Sequence, residues 1–186
     1  MSIDLLIAAR LQRLRKRQGL TIEALAAKAG VSRGMISKIE RQDSSPSAQV
    51  LGRLAAGLGV PLAELLIDEL ERGGEDGFRP RDQQTLWRDP EAGYLRRQVS
   101  EREADTGLEL VEITLPPGAS VSYPRWSSAP YRQRLWLVTG VLAITYGERH
   151  YALSEGDCLT FGVDLPLNFT NPGAQDCRYL LVIAAK

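Results

Sequence analysis

The sequence predicts two domains, an all-α domain of five short helices followed by an all-β domain of short antiparallel strands. Three observations carry this. Apolar residues recur at helical spacing from Leu5 to about Leu66, and after about residue 106 they alternate with polar ones. Those are the periods of a helix face and of a half-buried strand. Between the two regions, "ERGGEDGFRPRDQQ" holds three glycines, a proline and many charges with only Phe78 to bury, the composition of a linker. Charge divides at nearly the same place. Residues 1–60 carry ten Lys and Arg against four Asp and Glu, a net +6, and residues 61–186 carry thirteen against nineteen, a net −6. Such a split suggests a module facing a polyanion joined to one that avoids it. The expected boundaries are 1–70, a linker over 71–84, and 85–186.

Composition narrows the class. At 186 residues with 44% apolar and 25% charged side chains, the chain suits one ordinary domain or two small ones with packed cores. The start "MSIDLLIAARLQRLRKR" lacks a basic segment followed by an apolar run, so no signal peptide is expected. No apolar run approaches 18 residues, and no membrane span is expected. Cys158 and Cys177 are too few for a disulfide framework and form no C-x-x-C pair. Reduced thiols in a cytoplasmic protein are the expectation.

The helices are justified in order. Leu5, Ala8, Leu11 and Leu14 share one face of the first, and Gly19 ends it. Thr21 caps the second, with Glu23 in its electropositive first turn, and it finishes at Gly30. Ser32 caps the third, "SRGMISKIER". Asp43-Ser44-Ser45-Pro46 breaks the chain, Ser47 caps a fourth helix to about Leu58, and Pro61 opens a short fifth, "PLAELLIDEL". The strands follow as "LELVEITL", "LWLVTGVLAITYG", "RHYAL", "DCLTFG", "LPLNFTN" and "RYLLVIA", punctuated by turns at Pro117-Gly118, Thr139-Gly140, Tyr146-Gly147, Glu155-Gly156 and Pro172-Gly173. Residues 85–105 read as an arm or an edge strand.

The stretch from Leu20 to Leu66 resembles the helix-turn-helix domain of phage-repressor-like (XRE family) regulators. Ala26 and Gly30 at the turn, Val31 behind it, Ile36 and Ile39 as anchors and Glu40 as the closing residue carry the resemblance. It implies DNA binding, with the third helix in the major groove. Ser32, Arg33, Gly34, Ser37 and Lys38 then lie on its outward side. Arg33 is the side chain suited to bridge O6 and N7 of guanine, with a phosphate contact alone as the alternative. Gly34 departs from the Gln often found near that position in relatives, which leaves fewer bases read directly and lets the backbone approach DNA closely. Thr21, Ser32, Arg41, Ser44 and Ser45 are candidate phosphate anchors. The family pairs a helix-1 Arg with the closing Glu, which implies a structural pair between Arg15 and Glu40. It also binds double-stranded operators as a homodimer.

Residues 106–183 resemble a small cupin barrel, with Gly118, Gly140, Gly156-Asp157 and Asn171-Pro172-Gly173 standing at its turn positions. The metal-binding residues of that family are missing. Gln133 stands at the Glu position and Leu167 at the second His. Strict spacing from Gly118 puts the His-x-His pair on Pro124 and Trp126, and a one-residue gap puts it on Tyr123 and Arg125. His150, the chain's single His, lies outside the signature. Neither a metal nor another cofactor is expected, and no enzymatic activity. A mainly apolar effector pocket of Tyr123, Arg125, Gln133, Leu135, Leu137, Leu165, Leu167 and Phe169 is the expected replacement; the alternative is that Leu167 fills a core used only for dimerisation. The resulting expectation is a transcriptional regulator, more often a repressor, that senses an unidentified small metabolite.

Overall fold

The computed structural model describes residues 3–66, 77–103, 105–126 and 131–185. Its helices are α1 (Ile3–Arg17), α2 (Ile22–Ala29), α3 (Arg33–Glu40), α4 (Ala48–Leu58) and α5 (Ala63–Leu66). Local chemistry sets the ends of α2 and α3. Thr21 Oγ1 accepts the Ala24 N–H and Ser32 Oγ accepts the Met35 N–H, both at 3.1 Å. Gly30 turns the chain between α2 and α3 at φ 63°, a left-handed conformation that a side chain disfavours. Leu11, Leu25, Ile36, Leu51 and Leu54, all fully buried, close the helical core.

The fourth helix departs from expectation. Ser47 stands at its N-cap position, but the Ser47 hydroxyl is buried without a hydrogen-bond partner. The acceptor for the Ala48 N–H is Asp89 Oδ1, at 2.5 Å, from beyond the expected linker. Of that linker, 71–76 lies outside the described residues, as do 67–70 of the expected fifth helix; Arg81–Gln83 form a short 3-10 turn.

Among the described residues ten strands follow: β1 (Leu86–Arg88), β2 (Leu95–Gln98), β3 (Glu109–Leu115), β4 (Ser120–Tyr123), β5 (Tyr131–Thr139), β6 (Leu142–Tyr146), β7 (Arg149–Leu153), β8 (Cys158–Gly162), β9 (Leu167–Thr170) and β10 (Cys177–Ala185). All pair antiparallel, in a six-stranded sheet of order β1-β2-β3-β10-β5-β8 and a four-stranded sheet of order β4-β9-β6-β7. The fold is cupin-like, yet the described strands form two facing sheets rather than a hydrogen-bonded closed ring. Residues 85–105, read from sequence as an arm or edge, supply the edge strand β1 and its neighbour β2, which pairs in turn with β3. Aromatic contacts join the sheets: Phe169 of β9 stacks on Tyr179 of β10 with centroids 5.8 Å apart, and Phe161 of β8 meets Phe169 edge-on.

Register places polar side chains among the apolar ones. Ile183 pairs with Glu109 on one side and with Gln133 on the other, so these three residues form one row across the inner face. The helical domain meets the sheets where α4 packs against β4. At Gly52 of α4 an added Cβ would sit 2.6 Å from Cδ1 of Tyr123, so only a glycine lets α4 come this close. Buried residues of the helices and of the sheets belong to one continuous apolar cluster.

Candidate DNA-binding face and ligand cavity

The exposed face of α3 and the start of α2 border a shallow groove lined by Thr21, Glu23, Arg33, Gly34, Ser37, Lys38 and Arg41. Ser32 stands at its edge as the exposed cap of α3, while Ser44 and Ser45 lie in the following loop, outside the groove. Arg33 extends across the groove to Glu23, Nη2 to Oε1 3.0 Å, with both side chains largely exposed. Arg41 pairs with Asp43 at 2.9 Å. Exposed pairs of this kind contribute little stability. An added Cβ at Gly34 would meet nothing within 4 Å, so the fold itself does not require a glycine there. Behind the groove, Arg15 donates from Nε and Nη2 to the two oxygens of Glu40, both at 2.7 Å, and from Nη1 to the Leu20 carbonyl at 2.9 Å. Hydrogen bonding to Glu40 outweighs burial and raises the Arg15 pKa. This bidentate pair ties α1 to the end of α3 and to the loop before α2, which fixes how α3 is presented.

A cavity of about 130 Å³ lies between the sheets and reaches the helices. Of the residues expected to form a pocket, Tyr123, Gln133, Leu167 and Phe169 line it. Leu135 and Leu137 point inward and are fully buried, but form core rather than cavity wall. Arg125 is exposed, since β4 ends at Tyr123 and the chain then turns so that Pro124 and Trp126 face the cavity instead. Leu165 is 39% exposed and packs on Gly147; β9 begins only at Leu167, so the alternation that grouped Leu165 with Leu167 does not extend back to it. Side chains at the cupin ligand positions are thus an amide, a leucine and aromatic or exposed groups, which do not fit a metal ion. Among the described residues no group of three or more His, Cys, Asp or Glu converges on a point. His150 is exposed, with Nδ1 3.1 Å from Thr145 Oγ1.

The rest of the wall was not selected from sequence. Gly52, Ala55, Ala56, Pro61 and Leu62 close it from the helical side. Tyr94 and Arg96 enter from β2 and its approach, Glu109 from β3, and Tyr131 and Tyr179 from β5 and β10. The sequence held a signal for one of them: Glu109 is in phase with Val111, Ile113 and Leu115, a carboxylate on a buried face. It is 2% exposed and Arg96 5%. Arg96 Nη1 donates to Gln98 Oε1 at 2.6 Å, Gln98 Nε2 donates to Glu109 Oε2 at 2.7 Å, and Arg96 Nη2 lies 3.8 Å from the same oxygen. The hydroxyls of Tyr94 and Tyr123 share a hydrogen bond of 2.9 Å. Burial raises the pKa of both, and that of Tyr179, so these phenols stay neutral. Trp126 stacks on Tyr131 with centroids 5.0 Å apart, and its Nε1–H is buried with no partner.

A helix-turn-helix with a basic outward face, joined to a cupin-like domain, defines a transcriptional regulator. Residues 11–65 match the helix-turn-helix family HTH_3. The chain is 35% identical over 98 residues to the HTH-type transcriptional regulator SinR of Bacillus subtilis, covering 52% of this chain and 87% of that one. It belongs to the XRE-type family of helix-turn-helix transcriptional regulators. A match at 39% identity to SutR of Escherichia coli covers only 32% of that relative. The HTH-type regulator PuuR of E. coli is 24% identical over 171 residues, 92% of this chain and 90% of that one. Among solved structures, an HTH_3 family regulator from Vibrio cholerae superposes with a TM-score of 0.78 at 24% identity, over 99% of this chain and 97% of that one. Hydroxypropylphosphonic acid epoxidase from S. wedmorenis shares the fold more distantly, with a TM-score of 0.50 at 16% identity over 97% of each chain.

Proposed function

We propose that this protein is a cytoplasmic, homodimeric, sequence-specific repressor in which a small molecule in the cupin cavity controls DNA binding. The observation that carries the reading is the shared wall of that cavity. Ala55, Ala56 and Leu62 of the helical domain and Tyr123, Gln133 and Leu167 of the sheets face the same space. A molecule that enters touches both domains, and any difference in its affinity for two placements of α4 shifts their populations. Two recognition helices must match a fixed half-site spacing, so a small change in seating changes operator affinity. The dimer has a candidate surface on the outer face of the six-stranded sheet. There Trp136 is 50% and Val182 37% exposed, and Leu180 lies opposite Trp136 in the register. The likeness to an epoxidase concerns the fold alone, and the absent cupin ligands favour binding over catalysis.

The test is a thermal-shift screen of small metabolites spanning cationic, anionic, zwitterionic and neutral compounds, with hits retested on an operator selected from random DNA. A hit that raises the melting temperature and changes operator affinity supports the reading. If ligands bind and operator affinity never moves, the cavity is not a regulatory site.

A further inference from the structure

The charge balance of the cavity wall indicates what kind of molecule fits it, given the reading above that the cavity is a ligand site. We infer that the ligand is a net-uncharged molecule of about single-ring size bearing a hydrogen-bond acceptor, and that the indole N–H of Trp126 is the donor that recognises it. Size comes first. A cavity of about 130 Å³ is close to the roughly 150 Å³ apolar cavity that accommodates benzene. Shape follows from the wall, where Tyr94, Tyr123, Trp126, Tyr131, Phe169 and Tyr179 present ring surfaces.

Charge decides between ligand classes. Arg96 and Glu109 are the charged side chains of the wall, and they are committed to each other directly and through Gln98. Their charges cancel, so a buried ammonium or carboxylate finds no unused counter-charge. Arg102 lies nearby with its guanidinium 5.9 Å from the Tyr131 ring centre, but it is not part of the wall. Aromatic rings do attract cations, by about 2 kcal/mol when desolvated. Taking an ion out of water costs several kcal/mol, so the rings alone do not hold one. Trp126 supplies the polar specificity. A buried N–H without a partner costs about 1–3 kcal/mol, and a ligand oxygen or nitrogen at that point removes the penalty. Gln133 in the same wall supplies both a donor and an acceptor.

Isothermal titration of the full-length protein at pH 7 with benzyl alcohol, benzylamine, benzoate and toluene tests this. These are one ring in neutral polar, cationic, anionic and apolar form. Benzyl alcohol is expected to bind at least tenfold tighter than either charged analogue. Trp126→Phe, which keeps the ring against Tyr131 and removes the N–H, is expected to weaken benzyl alcohol about fivefold and leave toluene unchanged. The comparison on the unaltered protein needs no variant and stands even if Trp126→Phe fails to fold. Tighter binding of benzylamine or benzoate, toluene matching benzyl alcohol, or an unchanged benzyl alcohol affinity in a folded Trp126→Phe protein overturns the inference while the ligand site stands. Binding of none of the four overturns both.

Discussion

Replacing Asp89 with Ala removes the acceptor that joins the two domains at the start of α4. Asp89 is 2% exposed. Its Oδ1 accepts the Ala48 N–H at 2.5 Å, and its Oδ2 accepts the Ala92 N–H in the turn before β2. Loss of an N-cap acceptor costs about 1 kcal/mol, and a second backbone N–H left unpaired adds about 1–3 kcal/mol. The expected total is about 2–4 kcal/mol. At about 2–4 °C per kcal/mol for a chain of this size, the melting midpoint falls by about 4–16 °C. Ser47→Ala is the matched control. Sequence makes Ser47 the cap, whereas the structure leaves its hydroxyl buried and unbonded, so its loss is expected to be neutral or slightly stabilising. Circular-dichroism melts of the two variants decide the matter. A fall of less than about 2 °C for Asp89→Ala, or a larger one for Ser47→Ala, refutes the assignment of the cap.

Three further outcomes follow from the geometry. Arg33→Ala is expected to weaken operator binding by about 1–3 kcal/mol and random DNA by less; equal losses in fluorescence-anisotropy titrations contradict base reading. Gly34→Ala is expected to stabilise the fold by about 0.5–1 kcal/mol, since the site has open space and an ordinary helical backbone, while weakening operator binding because the added methyl keeps DNA away. Improved or unchanged operator affinity in that variant contradicts close approach at Gly34. Burial raises the Cys177 thiol pKa to about 11, so at pH 8 only about one molecule in a thousand carries its thiolate. Ellman's reagent is therefore expected to titrate exposed Cys158 rapidly in the folded protein and Cys177 only on unfolding. Two fast thiols refute the burial.

Sequence reveals most where causes are local. The Thr21 and Ser32 caps, the Gly30 turn and the alternation in β3, β5 and β10 each depend on neighbours a few residues away, and each is present. Failures cluster where distant chain segments meet. The cap of α4 comes from a residue 41 positions on, and no local pattern prefers Asp89 over Ser47. The cavity's helical wall and its Arg96–Glu109 pair depend on docking between regions that periodicity treats separately. Leu165 lies outside the cavity because β9 begins only at Leu167, and alternation holds only within a strand. Gln133 and Leu167 were legible as departures from a known frame, and Tyr123 and Phe169 by their place beside them, but Tyr94, Tyr131 and Tyr179 join the wall only through the register.

If one cavity serves ligand and DNA-binding domain together, binding of ligand and of operator are thermodynamically linked. If the ligand alters operator affinity, operator DNA must alter ligand affinity by the same factor. The measurement is the dissociation constant of the tightest ligand from the thermal-shift screen, with the full-length protein free and saturated with operator. The two constants are expected to differ by about fivefold or more. Identical constants would show that the cavity and the recognition helices do not communicate, and would contradict ligand control of DNA binding.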